Sequence, residues 1–494
     1  MASSQPKTTK SAADENTPLL FASDASPATQ ANEEVAIAKT ISNGINDETE
    51  DEGKPLPALQ IFLLCYARMI EPIAFFGIFP FINKMIWETG GLKEEDVGFY
   101  SGLIESLFSL TQMLLMISWG RAADRIGRKP VLVFSLGGIA IATAVFGLSK
   151  AIWQMVFFRC CAGIFAGSIV TLRTMITENS TPKTQARAFS FFAFTGNVGI
   201  FLGPLLGGGL SNPADQYPKI FGQIAFFKQY PYALSTFATG SMGAIAAIIC
   251  GLFIKETLVR KDKNEAAGAP PMKTWELIKT PGVPTVLFLY GHVMLLGMAY
   301  TAVVCPVFWF TQPKLGGYGF TPIQISMFLA GIGVSQAFWL LVVFPPLHHR
   351  YGTGGILRGC LYVWPIFLAS APLCNIFLRN GWTTAFWITA PILQIGGSGV
   401  AMAFTAAQLA LNDISPSHQT LGTLNALALT ITSGIRAFAP ALYASLFAIG
   451  ARTQILNGHM VWVALVATAL LGTVTVSYLP EKAEGKPKKK PVEE

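Results

Sequence analysis

Charge is what this chain has least of. Only 13% of its 494 residues are Asp, Glu, Lys or Arg, about half the share of an ordinary soluble domain. So little charge cannot clothe a water-facing surface, and a soluble fold is excluded. Histidine is scarce, with five residues, and the seven cysteines (Cys65, Cys160, Cys161, Cys250, Cys305, Cys360 and Cys374) lie in or beside apolar stretches without paired loop spacing. That pattern argues against a disulfide framework and a zinc knuckle. His-Glu-x-x-His, Gly-x-Ser-x-Gly and P-loop strings are missing, so no enzyme chemistry is expected. The N-terminus lacks the basic-then-apolar pattern of a cleavable secretory signal, which leaves the first apolar run as signal anchor.

What the chain has is apolar sequence, 52% of its residues. Twelve predominantly apolar runs start near residues 57, 97, 131, 152, 186, 232, 283, 322, 355, 383, 420 and 459. Each is near the ~20 residues that cross a bilayer as a helix. The expected fold class is therefore all-α integral membrane. Residues 1–54 are polar and poor in large apolar side chains, as a disordered tail is. The charged, Pro-containing stretch 255–282 reads as a linker between residues 55–254 and 283–480, each half with six runs, and 481–494 form a basic tail.

The net charge of +7 is unevenly spread. With the N-terminus in the cytosol, the even-numbered turns and the tail hold twenty Lys and Arg, against eight in the outer turns. This is the positive-inside bias, and it puts both termini in the cytosol. Lys486-Pro-Lys-Lys-Lys490 then suits contact with anionic lipid rather than with nucleic acid.

The densest cationic cluster is Gly120-Arg-Ala-Ala-Asp124-Arg125-Ile-Gly127-Arg128-Lys-Pro130, between the second and third runs. Gly120 and Gly127 let the backbone turn, Pro130 suits a helix start, and Asp124 can bond free amide hydrogens at a neighbouring helix N-terminus. This string closely resembles the G-x-x-x-D-R-x-G-R-[KR] signature between the second and third helices of major facilitator superfamily transporters. The resemblance implies twelve transmembrane helices in two pseudo-symmetric six-helix bundles. It also implies a conformational latch, which Arg173 and Glu178 at the end of the fourth run could join to lock an outward-facing state. His349-Arg350 through Arg358 occupies the equivalent turn of the second half without an Asp.

Within the runs, ionisable residues are few and so informative, because a charge at mid-membrane costs on the order of 3 kcal/mol. Arg68 and Glu71, spaced i, i+3, share a helix face and can pair, either as a working site or as a packing element. Ser101, Glu105, Ser109 and Gln112 form a polar stripe of the kind that lines cavities. Glu105 has no basic partner in its own helix, which suits it to gain and lose a proton. Arg159-x-x-x-Gly163 resembles the superfamily's fourth-helix arginine motif, implicated in proton coupling, so Glu71, Glu105 and Arg159 are the coupling candidates. Candidates for the substrate cavity are Arg68, Gln112, His292, Tyr300, Gln394, Asn425 and Arg436; a lone His292 equally suits simple packing.

Gly199-x-x-x-Gly203-Pro204-x-x-Gly207-Gly208 can serve close helix packing, and it resembles the superfamily's fifth-helix antiporter motif, which implies drug:proton exchange. Taken together the motifs resemble fungal relatives of the plant zinc-induced facilitator-like group. The expected activity is proton-coupled antiport of a small organic molecule, an anion or an amphipathic compound, with the proton gradient in place of any cofactor. Nutrient symport and metal-linked transport are the alternatives; the sequence offers few metal ligands. Expected partners are substrate, protons and the bilayer, with the protein as a monomer. Glu15-Asn-Thr-Pro-Leu19-Leu20 resembles an acidic dileucine sorting signal, which would bring an adaptor and a vacuolar or endosomal membrane; otherwise the plasma membrane is expected.

Overall fold

The structure, a computed structural model, describes residues 56–258, 274–300, 305–416 and 418–485. Glu15, Leu19 and Leu20, most of the linker and Lys486–Lys490 lie outside the described residues. Twelve apolar helices carry the fold: α1 (Ala58–Phe76), α2 (Val97–Ile126), α3 (Arg128–Phe146), α4 (Ile152–Glu178), α5 (Pro182–Gly209), α6 (Ala233–Phe253), α7 (Val283–Met298), α8 (Pro322–Phe338), α9 (Phe344–Arg379), α10 (Thr383–Ile414), α11 (His418–Thr453) and α12 (Met460–Thr475). Among the described residues nine segments qualify as membrane spans by length and hydropathy. One of them, the 58-residue Pro322–Arg379, is broken at Gly352 (φ 69°) and so supplies two crossings. The remaining two are α5 and the shorter α7. No β-strand occurs among the described residues.

Local sequence accounts for several helix boundaries. Thr181 and Thr184 form a capping box with Pro182 in the first turn of α5, and Thr321 with Gln324 repeats the device at α8. Large apolar side chains such as Phe62, Phe134, Ile248 and Ile366 stand exposed, as lipid-facing residues do. Inside each half, packing depends on small residues. On α5, a Cβ at Gly203 would lie 3.0 Å from the Ile73 carbonyl, and one at Gly207 would strike the Gly77 carbonyl, so these glycines seat α1 against α5.

The halves α1–α6 and α7–α12 meet chiefly through α2 on α11 and α5 on α8. Every hydrogen bond and ion pair between them among the described residues lies in the half of the molecule away from the basic turn. Asp96 pairs with Arg452, and Glu94 Oε1 accepts the Gln312 amide at 2.6 Å. Ser106 Oγ accepts the Ala441 amide at 2.8 Å. Ser326 Oγ donates to the Pro204 carbonyl at 2.5 Å. Toward the basic turn a cavity of about 160 Å³ lies between α5, α8 and α10, lined by Asn197, Ile200, Gln336, Leu340, Phe404 and Thr405.

Replacing Gly207 by Leu forces α1 and α5 apart, and overpacking of this kind costs about 1–3 kcal/mol. Gly207→Leu should therefore cut the yield of monodisperse protein on size-exclusion chromatography several-fold. Gly331→Leu, at a site with nothing within 4 Å of an added Cβ, should not.

Candidate functional site

Glu105 on α2 and Arg159 on α4 form an ion pair sealed inside the first half. Arg159 Nη2 lies 3.0 and 3.1 Å from the two carboxylate oxygens, and the residues are 2% and 3% exposed. The guanidinium also donates to the carbonyls of Ala74 (3.4 Å) and Phe75 (3.3 Å) on α1. Phe108 and Phe75 flank it, with ring centroids 4.4 and 5.3 Å away. Glu105 has no cation on its own helix, but the fold supplies one from the fourth. The stripe Ser101, Glu105, Ser109, Gln112 is buried against neighbouring helices, not exposed along an open cavity.

Glu71 does not pair with Arg68. Its oxygens accept Gln112 Nε2 at 2.7 Å and Ser168 Oγ at 3.1 Å, so neutral donors on α2 and α4 hold it. Arg68 turns instead toward α5, where it lies 5.0 Å from the Phe192 ring centroid and where a Cβ at Gly196 would sit 3.2 Å from its Nη2. Arg436 on α11 reaches across the interface to lie 4.8 Å from the centroid of Phe75. The Nε atoms of Arg68 and Arg436 are buried without a hydrogen-bond partner.

Arg173 leaves the latch to which the sequence assigned it. Among the described residues it makes no ion pair there, and its charge acts instead toward Glu71. Three half-buried guanidiniums, Arg68, Arg173 and Arg436, thus act around Glu71, with no carboxylate among the described residues within ion-pair distance of any.

The other cavity candidates separate. Tyr300 donates to Gln394 Oε1 at 2.9 Å, joining two helices that both depart from α geometry, Tyr300 in a π-helical turn and Ser398–Ala401 in a 3₁₀ turn. Asn425 accepts Gln408 Nε2 at 2.8 Å, nearer the basic-turn end. His292 is buried between α7 and α12, where a Cβ at Gly472 would lie 2.8 Å from its Nε2. It packs away from the cavity. Asn197, Gln336 and Thr405 line the cavity between the halves; one polar residue apiece in apolar helices, they gave no signal above background.

The basic turn is tighter than its sequence implied. Helix α2 runs to Ile126, so Gly120 is helical and has room for a methyl group; Gly127 alone makes the turn, at φ 126° and ψ 154°. Asp124 bonds the Arg128 side chain, not a helix N-terminus. Arg128 also pairs with Glu178 at 3.2 Å, while Arg121 and Arg125 are exposed. The amides that begin α3 are capped by a residue the motif does not contain: Glu256 accepts the Arg128 N–H at 2.8 Å and the Lys129 N–H at 3.1 Å. Partial burial opposes its ionisation, yet amides of Leu258, Arg128, Lys129 and Thr257 hold its carboxyl below the ordinary range. Thr257 Oγ1 closes the circuit on Glu178 at 2.5 Å. The network ties one half to itself and does not bridge the halves.

The second half repeats this plan with other residues. The acid missing from its turn comes from Glu484, beyond α12, which pairs with Arg358 and accepts the Gly354 amide at 3.0 Å through its carbonyl. Lys482 donates to Ser415 O at 2.8 Å, at the end of α10, as Thr257 donates to the end of α4. Among the described residues no three His, Cys, Asp or Glu group as metal ligands do.

Residues 64–440 match the Major Facilitator Superfamily. The chain belongs to that superfamily. It is 50% identical over 433 residues to the efflux pump azaK of Aspergillus niger, covering 87% of this chain and 90% of that one. It is 27% identical to the multidrug transporter mfsB of Aspergillus fumigatus, over 87% and 85%, and 27% identical to Protein ZINC INDUCED FACILITATOR 1 of Arabidopsis thaliana, over 86% and 92%. Among solved structures, a bacterial homologue of the human lysosomal transporter Spinster in an inward-facing conformation matches with a TM-score of 0.59 at 17% identity, over 87% and 96%. This member of the superfamily is a multi-pass membrane transporter and not an enzyme.

Removing a helix cap costs about 1 kcal/mol, whereas an exposed i, i+4 pair contributes about 0.3–0.5 kcal/mol. Glu256→Ala should therefore lower the thermal unfolding midpoint of the detergent-purified transporter more than Asp124→Asn does. Because the Glu256 carboxyl is held below its ordinary range, that difference should persist at neutral pH and fade as pH falls through the lowered value.

Proposed function

We propose that this transporter is a proton-coupled antiporter that exports or sequesters a small organic molecule, anionic or amphipathic, by alternating access. The observation that carries the reading is the Glu105–Arg159 pair. Its burial costs more than apolar packing would, and ionisable groups inside a membrane commonly belong to proton or substrate pathways. Protonating Glu105 removes the charge that offsets Arg159, so the two protonation states favour different arrangements of the helices around them. Export is supported by the relatives, among them an efflux pump and a multidrug transporter, and by the packing of the fifth-helix glycines, three on α1 and Gly208 facing Pro322 and Ser326 across the interface. An anionic or amphipathic cargo is supported by the excess of positive charge around Glu71, where Arg68 and Arg173 lie without an ion-pair carboxylate among the described residues.

The basic turn belongs in the cytosol by the positive-inside rule, with both termini on that side. On this assignment the structure is open toward the cytosol and closed on the other face. The transporter acts as a monomer in a vacuolar, endosomal or plasma membrane, with substrate, protons and lipid as its partners; nucleic acid and cofactors take no part. An adaptor reading Glu15, Leu19 and Leu20 would set the membrane.

The test uses proteoliposomes loaded with a pH-sensitive dye and a panel of organic acids, amphipathic drugs and divalent metals. Wild-type protein should move protons opposite to at least one organic compound, and Glu105→Gln should abolish that movement while retaining exchange of the compound for itself. Proton movement in the same direction as the compound would establish symport instead.

A further inference from the structure

Phe75 on α1 stands between two cations from different halves of the molecule. Arg159 is held 5.3 Å from its centroid, and Arg436 4.8 Å. The ring cannot move aside: it is 3% exposed and packed against Phe76, Phe79 and Phe108 at centroid distances of 4.9, 5.3 and 5.3 Å. Arg436 arrives on α11, whose next turn is docked on α2 beside the carboxylate. The Ala441 amide bonds Ser106 Oγ at 2.8 Å, and the Pro440 carbonyl fills the space left by the missing side chain of Gly102. We propose that Arg436, seated over Phe75, is the positioning residue through which Glu105 senses which way the two halves are turned. The inference rests on the reading of Glu105 as the proton site and goes beyond it.

The charged groups that act on Glu105 are Arg159 from α4 and Arg436 from α11; Arg436 also interacts with Glu71 and Arg68 of α1. In the docked orientation a proton on Glu105 leaves two guanidiniums facing one ring with no carboxylate between them. Rocking the halves apart at this end must carry Arg436 away with α11, because the α2–α11 contact is what closes the end. Glu105 then keeps only Arg159, and taking up a proton is easier. The proton is released in one orientation and bound in the other, and by linkage protonation favours undocking. A cation within ~4–6 Å lowers the proton affinity of a carboxylate by about tenfold or more, and withdrawing it restores that affinity.

The experiment places spin labels at Lys93 and Lys314, exposed positions on opposite halves at the closed end, in full-length protein free of other reactive cysteines and reconstituted in lipid nanodiscs. The label–label distance distribution is then measured from pH 8 to pH 5. In the wild type the separated population should grow as pH falls. Arg436→Gln should flatten that dependence several-fold, and Arg436→Lys, which keeps the charge and guards against a folding defect, should restore most of it. An Arg436→Gln protein that titrates like the wild type while Glu105→Gln is flat overturns the role of Arg436 alone. A Glu105→Gln protein that titrates like the wild type, or a wild type without pH dependence, overturns both this inference and the reading of Glu105 on which it rests.

Discussion

A carboxylate and a guanidinium buried side by side in an apolar bundle hold each other in place, because either one alone would be an uncompensated charge. The Glu105–Arg159 pair imposes that condition on the first half of this transporter. It fixes α2 against α4, draws the α1 carbonyls of Ala74 and Phe75 onto the same guanidinium, and explains why two phenylalanine rings, Phe75 and Phe108, flank the spot: a weakly hydrated, planar cation is tolerated against aromatic faces where an ammonium would not be. The remaining intramembrane charges are arranged around it. Glu71 is satisfied by neutral donors, and among the described residues Arg68, Arg173 and Arg436 are left without a carboxylate partner.

The sequence showed the fold almost completely, since a bilayer admits few solutions. The helices begin within a few residues of the apolar runs, α9 when counted from its break at Gly352, and the glycine face of α5 follows from residue size. Side-chain pairing was less legible. Arg68 and Glu71 share a helix face, but i, i+3 spacing only permits a pair; Gln112 and Ser168 come from other helices and outcompete Arg68 for the carboxylate. Arg173, five residues before Glu178, reads as a latch residue, yet those five residues of helix turn it by more than a full turn, away from Glu178 and toward Glu71. Glu256 and Glu484 were invisible as caps because nothing local in a chain that has just left its sixth or twelfth helix says which turn it will meet.

That last pair shows what the internal repeat preserves. The two halves share little sequence at their turns, and the second lacks the Asp of the first. Even so, in each half an acid just past the last helix meets the turn between the second and third helices, and a neighbouring polar side chain reaches the end of the fourth. The constraint is geometric. Each half moves as a body only if its open end is braced, and the strand of chain leaving the bundle is the segment free to brace it. Which residue supplies the acid matters less than that one does.

The sign of the coupling limits where cargo can sit. An anion that neutralised Arg436 would make Glu105 easier to protonate, so cargo and proton would load together, as in symport. Exchange requires that Arg436 remain available to Glu105. Cargo held by Arg68 and Arg173 meets that requirement: the first lies over Phe192 on α5, the second acts toward Glu71, and neither is among the groups that act on Glu105. On the proposed reading, cargo then sits with Arg68 and Arg173 on the open side and Glu105 carries the proton on the closed side, with Arg436 between them.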